Sequence, residues 1–557
     1  MINKTNLKKK NQYIILSFFY FIVILGVLLI FKDFGVHIEE RFHRMNGLYY
    51  LNYIAEIFQL EKIYIITKFK MSLVNDYTLS TVSHYNRHGV IFDVPLALIE
   101  IIFGIKNIEN VFHTKHLFSF LIFLSSSFFF YKILIKRFEN FFLCFAGTIL
   151  YITTPRIFGD SFLYKDVLFL SFLTFSLYFF LNLIEKMSLK NLIFFAIFSA
   201  ITINMRIFGL FLPATFLVIL LMKSFHTKKV FFYCKIFLFY LLILIFSLIL
   251  FSPYLWSNPF VNFLDIFYSF EEKNMINPNI KILFNNQFIF NRNISDYYLI
   301  TWIFISTPII TIIFFLLGYF SYFARLLQRF FKIKERTIFN DLWRGRHELQ
   351  DFIFFFIFTF FFLSLFILNA PFYNGWRFVY FLNIFLIYFM IYCFNNLIIY
   401  FKKDKFKKKT ILLLLVAAIT HNLICLKIYH PYQSVYFSEV LTNAKKNSFE
   451  GDYYGLSGKD FFLKLSTKNN EKVIKIGVAS WIPLHRALDG IDKTLRKKFL
   501  IVGQNYKNAD FIYKSNISEV NTDLNKKYNI PANFDKIYER KINGIKIYEI
   551  YKNKNLK

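Results

Sequence analysis

Apolar residues in this chain do not alternate; they run. Eleven stretches, near residues 13-31, 116-134, 138-154, 167-184, 190-204, 207-222, 231-253, 297-318, 351-369, 378-400 and 410-428, approach the roughly 20 residues that carry a helix across a hydrocarbon core of about 30 Å. Backbone groups find no partners in lipid, so such runs are predicted to be helical. The loops between them form two alternating sets. One is basic: Lys132 to Arg137, Lys186 to Lys190, Lys223 to Lys229, Arg325 to Arg346 and Lys402 to Lys409. The positive-inside rule places this set in the cytoplasm. The other set, of mixed charge, holds residues 32-115, 155-166, 205-206, 254-296, 370-377 and everything after about 429, and is predicted to face outward. Within it, Phe92 to Gly104 is apolar but short and carries Asp93 and Glu100, which predicts a helix lying in the outer interface rather than a crossing.

The tail after residue 430 follows a different period. Apolar alternation in Val473 to Val478, Phe499 to Val502 and Phe511 to Tyr513 reads as strands, and Asn543-Gly544 between two alternating runs reads as a hairpin turn. The expected fold is a polytopic α-helical membrane protein of about 11 spans with a small C-terminal α/β domain outside the membrane. The expected boundaries are 1-429, including a first outer loop at 32-115, and 430-557. Lys8-Lys9-Lys10 precedes the apolar run Tyr13 to Phe31 with no small-residue cleavage site after it, so that run is expected to be an uncleaved first span with a cytoplasmic N-terminus. The expected location is the cytoplasmic (inner) membrane. Neither a solenoid-type repeat nor an inverted pair of Gly/Pro-broken spans is evident.

Composition changes this picture little. With 56% hydrophobic residues the chain is not a soluble domain, and the net charge of +31 sits in short runs between spans, where it orients helices and meets lipid headgroups. Nucleic-acid binding is therefore not expected. The 80 Phe residues are mostly bulk hydrophobe. Cys144, Cys234, Cys393 and Cys425 lie in apolar stretches without CxxC spacing and read as small core residues. His84, His88, His113 and His116 fall in no metal-ligand spacing.

Candidate chemistry gathers at the ends of spans on the predicted outer side. Glu39 and Glu40 follow the first span, where a carboxylate meets water and headgroups together and can act as a general base; the alternative is a solvated loop paired with Arg41 and Arg44. Pro155 to Asp166 carries Arg156, Asp160, Lys165 and Asp166. Arg and Lys at an interface can hold a phosphate and stabilise it as it departs; the alternative is snorkelling from helix ends. Asn204-Met205-Arg206 and Tyr373-Asn374-Gly375-Trp376-Arg377 add two further cations. His430 to Phe437, after the last span and including Pro431 and Tyr432, reads either as an aromatic lip over the same surface or as an interfacial aromatic belt.

These residues resemble the motifs of GT-C glycosyltransferases related to protein O-mannosyltransferases and the lipid A aminoarabinose transferase. The resemblance rests on Gly35 to Arg44, Gly89 to Pro95, Pro155 to Asp166, Arg206 to Gly209, Pro253 to Pro259, Tyr373 to Arg377, His430 to Phe437 and Asp452 to Ser457, in the expected order. It implies transfer of a sugar from a polyprenyl-phosphate donor to a hydroxyl acceptor (glycan, lipid or protein), with inversion. By position it implies catalytic roles for Glu39 and Glu40, and donor-phosphate contacts from Arg156, Lys165, Arg206 and Arg377. Acceptor or supporting roles fall to Asp93, Asp166, Tyr373, Trp376, His430 and Tyr432. Glu39 stands where the family usually has Asp, and Ile38 where it commonly has Trp, so either Glu39 or Glu40 remains open as the base. No obligatory divalent metal is expected, since two cations already face a monophosphate leaving group. The partners expected are the polyprenyl-phosphate sugar, an acceptor and membrane lipids. The rival readings are a transporter or flippase of lipid-linked sugars, which would place ionisable groups near the membrane midplane, and a non-catalytic assembly factor.

Overall fold

The computed structural model describes residues 2–73, 89–163, 165–271, 281–331, 342–367, 372–466, 473–515 and 528–555. His84 and His88 lie outside these described residues. In chain order the helices are α1 (Ile2–Ile30), α2 (Glu40–Ile57), α3 (Glu61–Ser72), α4 (Asp93–Ile102), α5 (Ile108–Phe138) and α6 (Phe141–Thr153). There follow α7 (Pro155–Asp160), α8 (Asp166–Glu185), α9 (Leu189–Met205), α10 (Phe211–Thr227), α11 (Val230–Phe251) and α12 (Pro259–Glu271). The last of the helical part are α13 (Tyr298–Ser306), α14 (Ile309–Phe330), α15 (Gly345–Ile367), α16 (Asn383–Tyr400) and α17 (Lys405–Tyr429).

Among the described residues, nine helices are long and apolar enough to cross a membrane, and α6 and α9 are shorter apolar helices. Together they match the eleven expected stretches, and the chain is a multi-pass membrane protein. One stretch is corrected. The run 297-318 is not one span but breaks between α13 and α14, because Pro308 cannot donate a backbone hydrogen bond and pushes Thr307 into an extended conformation (φ −113°, ψ 140°). The crossing helix is α14, which continues to Phe330.

Polar residues collect in two layers at opposite ends of the spans. At the ends bearing the basic loops, Arg137 makes two 2.7 Å bonds to the buried Asp351, which also accepts from Tyr388 Oη, and Lys136 pairs with Glu185. At the other ends, the starts of α5, α8 and the turn leading into α16 meet the ends of α1, α6 and α9. Between the layers, buried hydroxyls such as Ser126, Thr174 and Tyr151 bond to one another or to the preceding helical turn.

The loop after α1 is mostly helical. α2 and α4 join through Phe42, Met45, Leu48, Leu51 and Ala97. α4 coincides with the expected Phe92 to Gly104 helix, and its Glu100 is buried against Arg44 and Lys70 (2.7 and 2.8 Å). Among the described residues, seven strands form two sheets. β1 (Lys281–Phe284) and β2 (Gln287–Phe290) make a hairpin. β3 (Ile474–Ala479), β4 (Phe499–Gly503), β5 (Phe511–Ser515), β6 (Phe534–Ile542) and β7 (Ile545–Asn553) make a mixed sheet in the order β4-β3-β5-β7-β6. The β6–β7 turn is the expected Asn543-Gly544 pair, both at positive φ (45° and 83°).

Close helix packing predicts a stability test. Gly318 on α14 lies against the backbone carbonyl of Phe389 on α16, and a Cβ there would collide with it. Gly318→Ala is expected to lower the thermal midpoint in detergent, by about 1–3 kcal/mol of stability. Gly26→Ala, with open space around the added methyl, is expected to leave it unchanged.

Candidate active site

The first loop is shaped by a buried carboxylate. Glu40 opens α2 and is fully buried; its Oε2 accepts the His37 backbone N–H (2.8 Å), and both its oxygens stand 3.1 Å from His116 Nε2, with Lys115 Nζ at 3.9 Å. A carboxylate so enclosed ties the loop to α5. Burial alone would raise the Glu40 carboxyl; His116 and Lys115 hold it below its ordinary value. Glu39, one residue earlier, points the other way. Its side chain keeps 42% of its surface open, and its Oε1 accepts from Arg377 Nη2 at 3.0 Å. Burial favours its neutral form, but Arg377, His37 and His43 outweigh this and hold it well below the usual carboxylate range. Of the two candidates, only Glu39 offers an open, ionised carboxylate.

Arg377 is placed by a turn. Asn374 and Gly375 both take positive φ (56° and 75°), and the Gly375 N–H is held by Tyr298 Oη at 3.1 Å. Trp376 then turns inward, fully buried, with its Nε1–H donated to Ser306 Oγ at 2.7 Å. Arg377 faces Glu39 with only 4% of its side chain exposed, donates to Tyr373 Oη (3.2 Å), and lies over the rings of Tyr373, Phe378 and Tyr454. Arg206, at the end of α9, pairs with Asp166 at the start of α8 and stacks on the same Phe378 ring, 4.6 Å from its centroid. Burial and Arg377 push Arg206 down to about 10.

Lys165 precedes α8 at φ 56°, ψ −58°, a strained conformation for a residue with a side chain. Burial and Arg206 press its ammonium below the lysine range, while Asp93 and Glu39 favour its charge. Asp93 is buried with His43 Nδ1 3.4 Å from its Oδ2. The recess lined by His43, Asp93 and Lys115 has a volume of about 20 Å³, enough to hold a water.

Glu39, Lys165, Arg206, Arg377, Tyr373, Asp93 and Asp166 thus converge. Arg156 does not join their open face. It is fully buried, with its guanidinium between Trp302 and Phe437 (5.1 and 5.0 Å), its Nε–H donated to the Tyr436 carbonyl (2.8 Å), and both terminal nitrogens without a partner. The cause is the segment after α17, which folds over it. Tyr432 is likewise buried, on the side of Asp452, Tyr513 and Tyr548, and His430 binds Asp33 (2.9 Å) and Gln433 (3.1 Å) rather than the cluster.

Several residues that complete the arrangement were not read from the sequence as parts of it. The Ile38 N–H bonds the Tyr454 carbonyl (3.1 Å), Arg486 Nη1 bonds the Ile38 carbonyl (2.7 Å), and Arg41 pairs with Asp489 (2.7 Å), so the C-terminal region grips the loop that carries Glu39. The Tyr454 ring packs on His37 (4.3 Å between centroids), and its hydroxyl donates to Asp160 at 2.8 Å; burial pushes the Asp160 carboxyl up to about 6. His37 is pushed down to about 4 by burial and remains neutral at physiological pH. These partners lie 294 to 448 positions away in the chain, and no local spacing marks them.

No family model matches the chain, and no curated protein does. Among solved structures, the oligosaccharyltransferase of Archaeoglobus fulgidus in complex with Zn and sulfate is 12% identical over 77% of this chain and 59% of its own, with a TM-score of 0.41. ArnT from Cupriavidus metallidurans bound to undecaprenyl phosphate is 11% identical over 84% and 88% of the two chains, with a TM-score of 0.38. AglB of A. fulgidus, with an inhibitory peptide and a dolichol-phosphate, is 11% identical over 77% and 61%, with a TM-score of 0.40. The chain therefore spans about three fifths of the length of the archaeal proteins it matches.

The two glutamates separate by a paired substitution. Glu40→Gln removes the fully buried carboxylate that His116 and Lys115 both approach and is expected to destabilise the protein by about 3–5 kcal/mol, read as a lower thermal midpoint. Glu39→Gln, at a half-open position where the amide oxygen can still accept from Arg377, is expected to lower the midpoint by less than Glu40→Gln does.

Proposed function

We propose that this chain is an integral-membrane glycosyltransferase that moves a sugar from a polyprenyl phosphate to a hydroxyl acceptor on the outer face of the cytoplasmic membrane, with inversion. The observation that carries this reading is an open, ionised carboxylate, Glu39, held in one cluster with three cations, Lys165, Arg206 and Arg377, at the span ends opposite the basic loops. The positive-inside rule makes that side extracytoplasmic. In this reading residues 1-429 form the catalytic membrane part, and 430-557 form an outer domain that grips the loop bearing Glu39.

In the reaction, the acceptor oxygen attacks the anomeric carbon from the side opposite the phosphate. A carbon–oxygen bond to the acceptor forms as the bond to the phosphate oxygen breaks. The acceptor proton passes to Glu39, which a depressed pKa makes a weak base. Transfer therefore completes as the attacked hydroxyl becomes acidic with bond formation. Lys165 and Arg206 stabilise the departing polyprenyl phosphate, Arg as a planar donor and Lys as a compact charge. Arg377 positions Glu39 and supplies charge behind it. Asp166 aims Arg206, and Asp93 supports the acceptor side. With three cations at hand, no divalent metal is required for this step.

The test is transfer of labelled sugar from a panel of undecaprenyl-phosphate sugars by purified protein. Glu39→Gln is expected to reduce the rate by about 10²- to 10⁴-fold with normal folding. If wild-type protein in vesicles instead moves the labelled lipid across the bilayer and transfers nothing, the transporter reading replaces this one. The pH dependence gives a second check. Glu39 stays ionised to well below the ordinary carboxylate pKa, so no acid limb near pH 4–5 arises from it. Lys165 loses its charge below the ordinary lysine range. kcat/KM is thus expected to fall on the alkaline side well before pH 10, and Lys165→Arg to move that limb upward.

A further inference from the structure

His421 and Cys425 are one turn apart on α17 and share a face of the helix. Glu439, in the segment beyond the helix, folds back onto that face. His421 Nε2 stands 2.9 Å from Glu439 Oε1 and 3.6 Å from Cys425 Sγ, and ligand atoms of all three residues lie within 4.8 Å of one another. Cys425 is buried, His421 half-buried and Glu439 exposed. None of the three touches the cluster around Glu39.

Two features decide what this trio can do. Thiol and carboxylate meet the same imidazole nitrogen. A nucleophile–base–carboxylate relay needs them on different nitrogens, and His421 Nδ1 is instead buried with no partner. One nitrogen, one sulfur and one oxygen facing a common point are the donors of a metal site. Around an ion with bonds of about 2.0–2.3 Å, tetrahedral ligands stand about 3.3–3.6 Å apart; the His421–Cys425 spacing of 3.6 Å fits that, the His421–Glu439 spacing of 2.9 Å is a little shorter, and all three atoms lie within 4.8 Å, so small side-chain adjustments bring them around one ion. The backbone leading to Glu439 is held in place independently of the trio. The Ser438 N–H bonds the Ile305 carbonyl (2.8 Å), the Tyr436 carbonyl takes Arg156 Nε–H (2.8 Å), and the Phe437 carbonyl takes Tyr429 Oη–H (3.3 Å).

We propose that His421, Cys425 and Glu439 form a three-ligand site for a divalent transition metal of the zinc class, with a fourth position open to water. A mixed N, S, O set with a thiolate selects such an ion over magnesium or calcium. The ion clips the 430–439 segment to α17 and so steadies the backbone that covers Arg156. It takes no part in the sugar transfer proposed above, and neither reading depends on the other.

The test uses the detergent-purified full chain, stripped with a chelator and titrated with Co²⁺ alone. Binding of about one equivalent, with a thiolate-to-cobalt charge-transfer band displaced by Zn²⁺, is expected. Cys425→Ser is expected to abolish the band and Cys234→Ser, at an exposed cysteine, to keep it. Glu439→Gln, which alters an exposed side chain and leaves apolar packing intact, is expected to weaken Co²⁺ binding about tenfold or more. Absence of the band in the wild type, its survival in Cys425→Ser, or unchanged affinity in Glu439→Gln overturns the proposal.

Discussion

Arg377 is a guanidinium with 4% of its side chain exposed, set where the chain enters α16, and its counter-ion comes from a loop 338 residues earlier. An uncompensated charge at such a depth would cost several kcal/mol, so the Glu39 carboxylate must come to it, and the loop must be held where that is possible. Much of the surrounding architecture follows from this requirement. Glu40 anchors the loop to α5, Tyr454 and Arg486 hold Ile38 from the C-terminal side, and the Asn374-Gly375 turn aims Arg377 outward while sending Trp376 into the core.

The same constraint explains why the cluster suits an anion. Lys165, Arg206 and Arg377 crowd together, and two of them are pressed below their ordinary pKa by burial and by one another. Aromatic faces and the Asp166 and Glu39 carboxylates offset part of this repulsion. A phosphate would offset more. Arg156, by contrast, has its nearest neighbours in Trp302 and Phe437 and no open approach, so its charge acts on Asp160 and Tyr453 from behind rather than on a ligand at the surface.

The spans were legible because a bilayer imposes length and composition on each helix separately, and every one of those marks is local. The start of α14 is not legible from composition, because apolar character passes through Pro308 while helical hydrogen bonding does not. Glu39, Lys165, Arg206 and Arg377 stood out as charges at span ends. What separates Glu39 from Glu40 did not, because it depends on His116 and Arg377, which no spacing places nearby. Trp376, Tyr432 and Arg156 lie beside the residues that converge, yet the fold turns them inward. Cys425 and His421 sit at a helical spacing, but Glu439 joins them only through the fold of the 430–439 segment.

In the proposed reaction the cluster around Glu39 and Arg377 receives the phosphate end of a polyprenyl phosphate. Photo-crosslinking of wild-type protein in nanodiscs with a polyprenyl phosphate carrying a photoreactive group next to the phosphate, followed by peptide mapping, tests it most directly. Labels on the segments containing Lys165, Arg206 or Arg377, competed by unlabelled undecaprenyl phosphate, are predicted. Competed labels confined to the basic loops at the opposite ends of the spans would put the phosphate site on the other side of the membrane and rule this cluster out.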